Sequence, residues 1–196
     1  MRLFAENGFR GASVAQIEAA AGLTPGAGGL YHHFESKEQL LAAGIQVHLE
    51  RLDRFREVRA LMGPLGDLRV ELAVTARYFL AELDSETELF RILISESRRR
   101  PELLTSAVNE LIASTFGGFA GWLAEKAEGR LDPDRARRVA DLTLGSLLSS
   151  RLLRIVLGVD AGDDDDETSI GVWVDMVARE LEAQPTVTGK RQPARS

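Results

Sequence analysis

The feature that most constrains this chain is a run of helix-start and helix-stop signals within its first 41 residues. Asn7 and Gly8 tolerate the left-handed conformation that ends a helix, so they predict the end of a helix near the amino terminus. Ser13, with Gln16 three residues later, forms a capping box that predicts the start of a second helix. Gly22 is expected to break this second helix, which would then be only about two turns long.

Two further start signals follow directly. Thr24 and Pro25 supply an N-cap and a proline at the first helical position, which predicts a third short helix. Ser36 and Gln39 form another capping box, which predicts a fourth helix from Lys37. A helix of about eight residues, a tight glycine turn and another short helix make up a helix-turn-helix, whose second helix enters the major groove of DNA.

The same segment resembles the DNA-binding domain of the TetR/AcrR family of transcriptional regulators. The matching positions follow one another along about a fifth of the chain: Leu3, Phe4, Gly8, Phe9, Ser13, Val14, Ile17, residues 20–24, residues 30–34, residues 36–38, Leu40 and Leu41. The resemblance implies an all-α fold, with an N-terminal helix-turn-helix DNA-binding domain plus a C-terminal helical ligand-binding and dimerisation domain.

Apolar periodicity and break signals predict helices in the rest of the chain as well. The fourth helix is expected to extend to about Met62, before a break at residues 63–66, Gly-Pro-Leu-Gly. Later helices are predicted from Asp67 to Leu83, from a cap at Ser85 to Arg100, from Pro101 to Glu128, from Asp132 to Val159, and from Thr168 to Ala183. We therefore expect a DNA-binding domain over residues 1–45, a ligand-binding and dimerisation domain over residues 46–183, and a disordered tail over residues 184–196.

The charge of the chain is unusual for a DNA-binding protein. The net charge is −6, and residues 1–48 hold three cationic and four anionic side chains, whereas a phosphate-binding surface is usually basic. The resemblance places Met1 inside the first helix of the family, which is often preceded by a basic arm. Either further basic residues precede Met1 in the natural chain, or the protein binds DNA weakly.

Several other classes of protein are not expected. The chain contains no cysteine, which excludes disulfides and thiolate metal sites. It has no apolar run of about eighteen residues and no export leader, so we expect a cytoplasmic protein without a membrane partner. His32, His33 and His48 lack metal-binding spacing, and no nucleophile lies near a plausible base. We therefore expect neither a metal site, nor a cofactor, nor enzyme activity.

Two runs of charge have simple structural interpretations. Arg98, Arg99 and Arg100 could form a phosphate patch, but basic residues in the last turn of a helix commonly complement the helix dipole. Residues 163–166, four consecutive aspartates, lack the alternating ligand spacing of an EF-hand, so a calcium site is not expected there.

The resemblance implies that DNA is contacted by Ser13, Thr24, Ala27, Gly28, Tyr31, His32 and Lys37. Ser13 and Thr24, at helix starts, would donate hydrogen bonds to phosphates, and Tyr31 and Lys37 would also hold the DNA backbone. Ala27, Gly28 and His32 would face the bases, and none of them is a bidentate reader. Sequence discrimination should therefore rely on methyl contacts, one histidine and DNA shape. Alternatively, Gly28 and its neighbour form a loop that contacts nothing.

The last helix is apolar on two faces, and the helix before it offers a leucine stripe in which Gly145 and Ser149 allow close approach. These features fit the four-helix homodimer interface that the resemblance implies. The residues predicted to form this interface are Leu144, Leu148, Leu152, Ile170, Trp173, Val174 and Val177. The alternative is that these side chains are buried within one chain.

The resemblance also places an inducer pocket among the central helices. Candidates that combine an apolar body with a polar group or a broad ring are Tyr78, Asn109, Thr115, Phe116 and Trp122, each of which could instead be ordinary core or surface. A moderately apolar ligand is expected, and its binding would shift the helix from Lys37 and change the distance between the two DNA-binding heads.

The sequence thus predicts a dimeric ligand-responsive transcriptional regulator, a repressor that a small-molecule inducer releases from a double-stranded DNA operator. The alternative is a helical small-molecule-binding dimer that has lost operator binding. An all-helical enzyme would need a buried acid–base or metal pair, which the sequence does not offer.

Overall fold

The computed structural model describes residues 1–53, 66–158 and 165–183. Within these ranges the chain forms eight α-helices and one 3₁₀ helix and contains no strand, which confirms the all-α prediction. The elements are α1 (Arg2–Gly11), α2 (Val14–Ala20), the 3₁₀ helix (Gly29–His32), α3 (Lys37–Asp53), α4 (Leu68–Ser85), α5 (Thr87–Glu96), α6 (Pro101–Lys126), α7 (Pro133–Leu157) and α8 (Asp166–Glu182).

Some predictions fall outside the described residues. These are the end of the fourth predicted helix near Met62, the break at residues 63–65, most of the acidic run before α8, and the tail over residues 184–196. Within the described ranges, no helix combines the length and the apolar character needed to cross a membrane.

Side-chain caps begin α4 and α7 where the sequence predicts them. Asp67 accepts a hydrogen bond from the amide of Arg69 at 2.9 Å, and Asp132 accepts one from the amide of Arg135 at 2.8 Å. The predicted cap at Ser85 is wrong, because Ser85 is the last residue of α4. Its hydroxyl donates to the carbonyl of Glu82 instead of capping the following helix.

The larger of two buried clusters, here called the body core, joins α4, α6, α7 and α8. Trp173 lies at its centre, with its indole N–H donating to the carbonyl of Thr143 at 2.9 Å. Five residues predicted for the dimer interface are buried in this cluster within a single chain: Leu144, Ile170, Trp173, Val174 and Val177. Their assignment to a dimer interface is therefore wrong, and the alternative of burial within one chain holds for them.

The second cluster, here called the junction cluster, connects the amino-terminal helices to the body. It consists of Phe4 and Phe9 of α1, Ala12 directly after α1, Leu41, Ile45 and Leu49 of α3, Leu89, Ile92 and Leu93 of α5, and Leu104 of α6. In this cluster α1 packs on α5, and α3 packs on α6. The amino-terminal helices therefore share a hydrophobic core with the helices behind them, and α1 packs directly on α5.

Truncating a buried side chain of the body core should destabilise the protein far more than truncating an exposed side chain two residues away on the same helix. Leu72 is fully buried, whereas Val70 is 45% exposed. We expect Leu72→Ala to lower the free energy of unfolding by about 2–5 kcal/mol, and Val70→Ala to change it by less than about 0.5 kcal/mol. Urea denaturation measures both values, and equal effects would contradict this assignment of the core.

Candidate DNA-binding element and ligand cavity

The first two helices follow the predicted local signals. Gly8, with φ 67° and ψ 172°, interrupts α1 at the predicted position. Ser13 caps α2 through the predicted capping box: its hydroxyl accepts from the amide of Gln16 at 3.2 Å, and the Gln16 side chain accepts from the amide of Ser13 at 2.8 Å. The hydroxyl of Ser13 lies at the exposed amino end of α2, which a DNA phosphate could approach.

The third predicted helix, expected to begin at Thr24, does not form. Gly26 and Gly28 adopt left-handed conformations, with φ of 76° and 75°, which an α-helix does not allow. The amide of Ala27 donates to the carbonyl of Thr24 at 3.2 Å to close a turn, and only the 3₁₀ helix follows. Residues 24–32, which we call the recognition segment, are therefore a glycine-rich turn followed by a single short helical turn.

A buried glutamate that the sequence analysis did not single out holds this segment in place. Glu18 of α2 is completely buried, and its carboxylate accepts hydrogen bonds from the amides of Gly26 at 2.6 Å and Leu30 at 3.1 Å. The carboxylate thereby accepts hydrogen bonds from amides on both sides of the turn, which an α-helix would have paired with backbone carbonyls. The apolar neighbours Ile17 and Ala19 gave no sign of this role, but Glu18 is the only charged residue of α2, and this was a signal that could have been noticed.

The structure presents most of the predicted DNA contacts to solvent. Thr24, Ala27 and His32 are exposed, and Tyr31 is 51% exposed. Leu30, on the inner side of the same segment, is buried. The recognition segment is thus anchored from beneath by Glu18 and Leu30 while its polar and small side chains remain accessible.

Lys37 is the predicted DNA contact that the structure places elsewhere. Its ammonium donates to the carbonyl of Phe9 and lies 4.5 Å from the centre of the Phe9 ring. Burial lowers the pKa of Lys37 from its ordinary value, against the opposing effect of Glu38. Lys37 therefore ties the start of α3 to the end of α1 instead of extending towards a phosphate.

A cavity of about 290 Å³ lies among α4, α5, α6 and α7, close to the lower limit of common small-molecule sites. Two of the predicted ligand contacts, Thr115 and Phe116, line it. Leu148 and Leu152, which were predicted for the dimer interface, line it as well. Its described lining residues are Phe79, Glu82, Leu83, Phe90, Leu93, Ile94, Ser97, Val108, Leu111, Ile112, Thr115, Phe116, Leu148 and Leu152.

The other three predicted ligand contacts lie elsewhere. Tyr78 and Trp122 pack against the body core, and Asn109 is exposed on α6. The resemblance placed the pocket among the central helices, but the sequence could not determine which face of each helix borders the cavity.

One helix, α5, forms both a wall of this cavity and a part of the junction cluster. Phe90 and Ile94 line the cavity, Leu89 and Ile92 belong to the junction cluster, and Leu93 belongs to both. The cavity and the amino-terminal helices are therefore separated by the width of one helix.

Buried carboxylates at the two ends of α5 hold it to α1 and α3. Glu96, at the carboxyl end, accepts a hydrogen bond from the amide of Phe9 at 3.2 Å. Glu86, which precedes the amino end, is hydrogen-bonded through its Oε2 to Nδ1 of His48 in α3. Both carboxylates are nearly inaccessible to solvent, so each contact is a strong constraint on the helix.

The arginine run after α5 extends this attachment. The helix ends at Glu96, and the amides of Arg99 and Arg100 donate to its carbonyl at 2.9 and 2.8 Å. The Arg100 guanidinium lies 3.7 Å from the centre of the Phe9 ring and donates to Glu38 at 3.2 Å. Arg100 therefore belongs to the contact between head and body.

Within the described ranges, no group of three or more histidine, aspartate or glutamate side chains is arranged to hold a metal ion. Of the aspartate run, Asp165 caps α8 and Asp166 accepts a hydrogen bond from Arg151 at 2.7 Å. Asp163 and Asp164 lie outside the described residues.

Two family models match the chain, one at each end. Residues 1–43 match the model described as bacterial regulatory proteins, tetR family. Residues 71–180 match the model described as AefR-like transcriptional repressor, C-terminal domain. The first match contains α1, α2, the recognition segment and the start of α3, and the second contains the cavity.

Individual proteins agree with these matches. The HTH-type transcriptional regulator UidR of Escherichia coli is 32% identical over 152 residues, which cover 74% of each chain. The HTH-type transcriptional repressor KstR2 of Rhodococcus jostii is 39% identical over 77 residues, which cover 39% of this chain and 36% of KstR2. The structure of the fatty acid degradation regulator FadR from Bacillus halodurans superposes with a TM-score of 0.64 at 22% identity, covering 92% of this chain and 90% of FadR, and this likeness shows a shared fold.

Removing the Glu18 carboxylate should disorganise the recognition segment. Glu18→Ala leaves the buried amide of Leu30 and the more exposed amide of Gly26 without this acceptor, so we expect the free energy of unfolding to fall by about 2 kcal/mol. Glu35→Ala, which removes an exposed carboxylate from the same region, should change it by less than about 0.5 kcal/mol. Urea denaturation compares the two, and a Glu18→Ala protein as stable as Glu35→Ala would show that the carboxylate does not hold the turn.

Proposed function

Because the chain belongs to the TetR family of transcriptional regulators, we propose that it is a dimeric repressor, released from operator DNA by a small apolar molecule. In this proposal residues 1–45 bind DNA and residues 46–183 bind the ligand and form the dimer, in the cytoplasm of a bacterium. The observation that supports it best is the double role of α5, which borders both the apolar cavity and the DNA-binding head. The matching relatives are transcriptional regulators and not enzymes.

DNA binding in this proposal uses the exposed side of the recognition segment. Ser13 and Thr24 donate to phosphates, Tyr31 holds the DNA backbone, and Ala27, Gly28 and His32 lie against the bases. Since these side chains include no bidentate base reader, DNA shape and methyl contacts supply the discrimination. Lys37 is left out because its ammonium is engaged by Phe9.

Dimer formation uses a surface that the body core leaves uncovered. Leu142, Leu153 and Val156 on α7, together with Val172 and Met176 on α8, are all between 46% and 75% exposed. The α7 residues share one side of the helix with Ser149, since their separations are near multiples of about 3.6 residues. We call this surface the outer face. It would pair with its own copy around a two-fold axis, as a helix-turn-helix protein requires for two operator half-sites.

Ligand control in this proposal acts through α5. A molecule in the cavity presses on Phe90, Leu93 and Ile94, and the opposite side of the same helix packs against Phe4 and Phe9 of the head. Glu96 holds α5 to Phe9 of the head and Glu86 holds it to His48 of α3, so that α5, α1 and α3 move together. A ligand that fits the cavity better when the heads are misplaced for DNA shifts the population towards the released state.

Operator binding is tested by fluorescence anisotropy with the intergenic DNA upstream of the protein's own gene, at low and moderate salt. We expect affinity to fall as salt rises, and Tyr31→Ala to weaken binding about tenfold, equal to about 1.4 kcal/mol. Arg138→Ala, an exposed change on α7, is the control and should bind normally. Absence of binding at low salt would favour the alternative, a ligand-binding dimer without operator affinity. The small number of cationic side chains in residues 1–48, three in all, also favours this alternative.

Dimer formation is tested by sedimentation equilibrium of Met176→Asp. A charge placed in an apolar interface is costly to desolvate, so we expect this variant to be monomeric at concentrations where the unmodified protein is dimeric. Val47→Asp introduces the same charge at a valine of α3 that is 50% exposed, against 54% for Met176, and should remain dimeric. A dimeric Met176→Asp protein would exclude the outer face as the interface.

A further inference from the structure

We propose that the cavity selects an amphipathic ligand whose apolar body is joined to a positively charged head, and that Glu82 of α4 receives this head. The inference rests on the proposed function, because it concerns the ligand of the same cavity. It goes further by assigning a charge to that ligand and a residue that selects it.

The cavity lining is almost entirely apolar. Eleven of its fourteen described residues carry only hydrocarbon side chains, and the remaining three are Glu82, Ser97 and Thr115. Among the described lining residues, Glu82 is the only one with a charge, and no lysine, arginine or histidine offsets it. A ligand carboxylate would therefore meet like charge without a compensating cation.

The carboxylate of Glu82 differs from its acidic neighbours in being available. Asp84 lies 3.0 Å from Nε of Arg151 and is also paired with Arg154, and Glu86 is held by His48. Glu82 is half-buried, and no side chain in the described ranges forms a hydrogen bond or an ion pair with its carboxylate. Its backbone carbonyl is occupied by Ser85 and Glu86, but the charged group is not.

A half-buried carboxylate beside an apolar surface gains most from a cation that brings its own apolar body. The hydrocarbon part buries the apolar wall, and the cation meets the carboxylate where water is partly excluded, so their attraction is stronger than in bulk solvent. Thr115 on α6 adds a hydroxyl for orientation. Ser97 offers less, because its hydroxyl already donates to the carbonyl of Ile94 at 3.3 Å.

Three probes with the same alkyl chain separate the contributions of apolar burial and charge. Decyltrimethylammonium, decanol and decanoate are titrated into the full-length protein by isothermal titration calorimetry, below the micelle concentrations of the two ionic probes and below the solubility limit of decanol. We expect all binding to be at the cavity, with the cation at least tenfold tighter than the neutral alcohol and decanoate weakest. The quaternary ammonium has no proton to lose, so this probe carries its positive charge at every pH.

Glu82→Gln provides the decisive variant, because it keeps the size of the side chain and removes its charge. We expect it to weaken the cation about tenfold and to leave decanol unchanged. Glu110→Gln, which removes an exposed carboxylate on α6 away from the cavity lining, should leave all three affinities unchanged and controls for net charge.

The possible outcomes separate this inference from the proposed function. If decanol binds but the cation gains nothing, or if Glu82→Gln does not weaken the cation, the cavity remains a ligand site and the inference about charge is wrong. If decanoate binds tightest, the inference is also overturned. If none of the three probes binds, neither the inference nor the proposed ligand control stands. A filling substitution, Thr115→Phe, should abolish decanol binding if the alcohol occupies this cavity.

Discussion

One buried hydrogen bond joins the amino-terminal helices to the helices behind them. The amide of Phe9 in α1 donates it to the carboxylate of Glu96 at the end of α5. A carboxylate this deeply buried is costly unless it is paired, so Glu96 holds α1 and α5 in a fixed relation. Arg100 reinforces the contact by lying on the Phe9 ring and pairing with Glu38. Because α5 also forms a wall of the apolar cavity, a change in the shape of the cavity that displaces α5 also displaces the DNA-binding head.

Local signals allowed much of the fold to be predicted from the sequence. Asp67 and Ser13 cap helices where they were expected to, because a short polar side chain before an apolar run satisfies free amides at short range. Matching motif residues in the first 41 positions also identified the family. Such features need only a few neighbouring residues, so the sequence alone contains the required information.

Predictions failed where a distant partner or a choice of helix face decides the structure. The helix expected from Thr24 is absent because Glu18 satisfies the amides of Gly26 and Leu30, which allows left-handed glycines in between. Trp173 lies on one of two apolar stripes of α8, and periodicity cannot say which stripe faces the core of its own chain. Lys37 was expected at DNA, but two phenylalanine rings of α1 offer its ammonium an internal site.

In the proposed mechanism, α5 transmits the state of the cavity to the head through Glu96. This transmission is tested by the operator dissociation constants of four proteins: unmodified, Thr115→Phe to fill the cavity, Glu96→Ala to remove the contact with Phe9, and the double variant. We expect that filling the cavity weakens DNA binding and that most of this effect disappears in the Glu96→Ala background, which gives a clear interaction energy in the double-mutant cycle. Additive effects of the two substitutions would exclude transmission through Glu96.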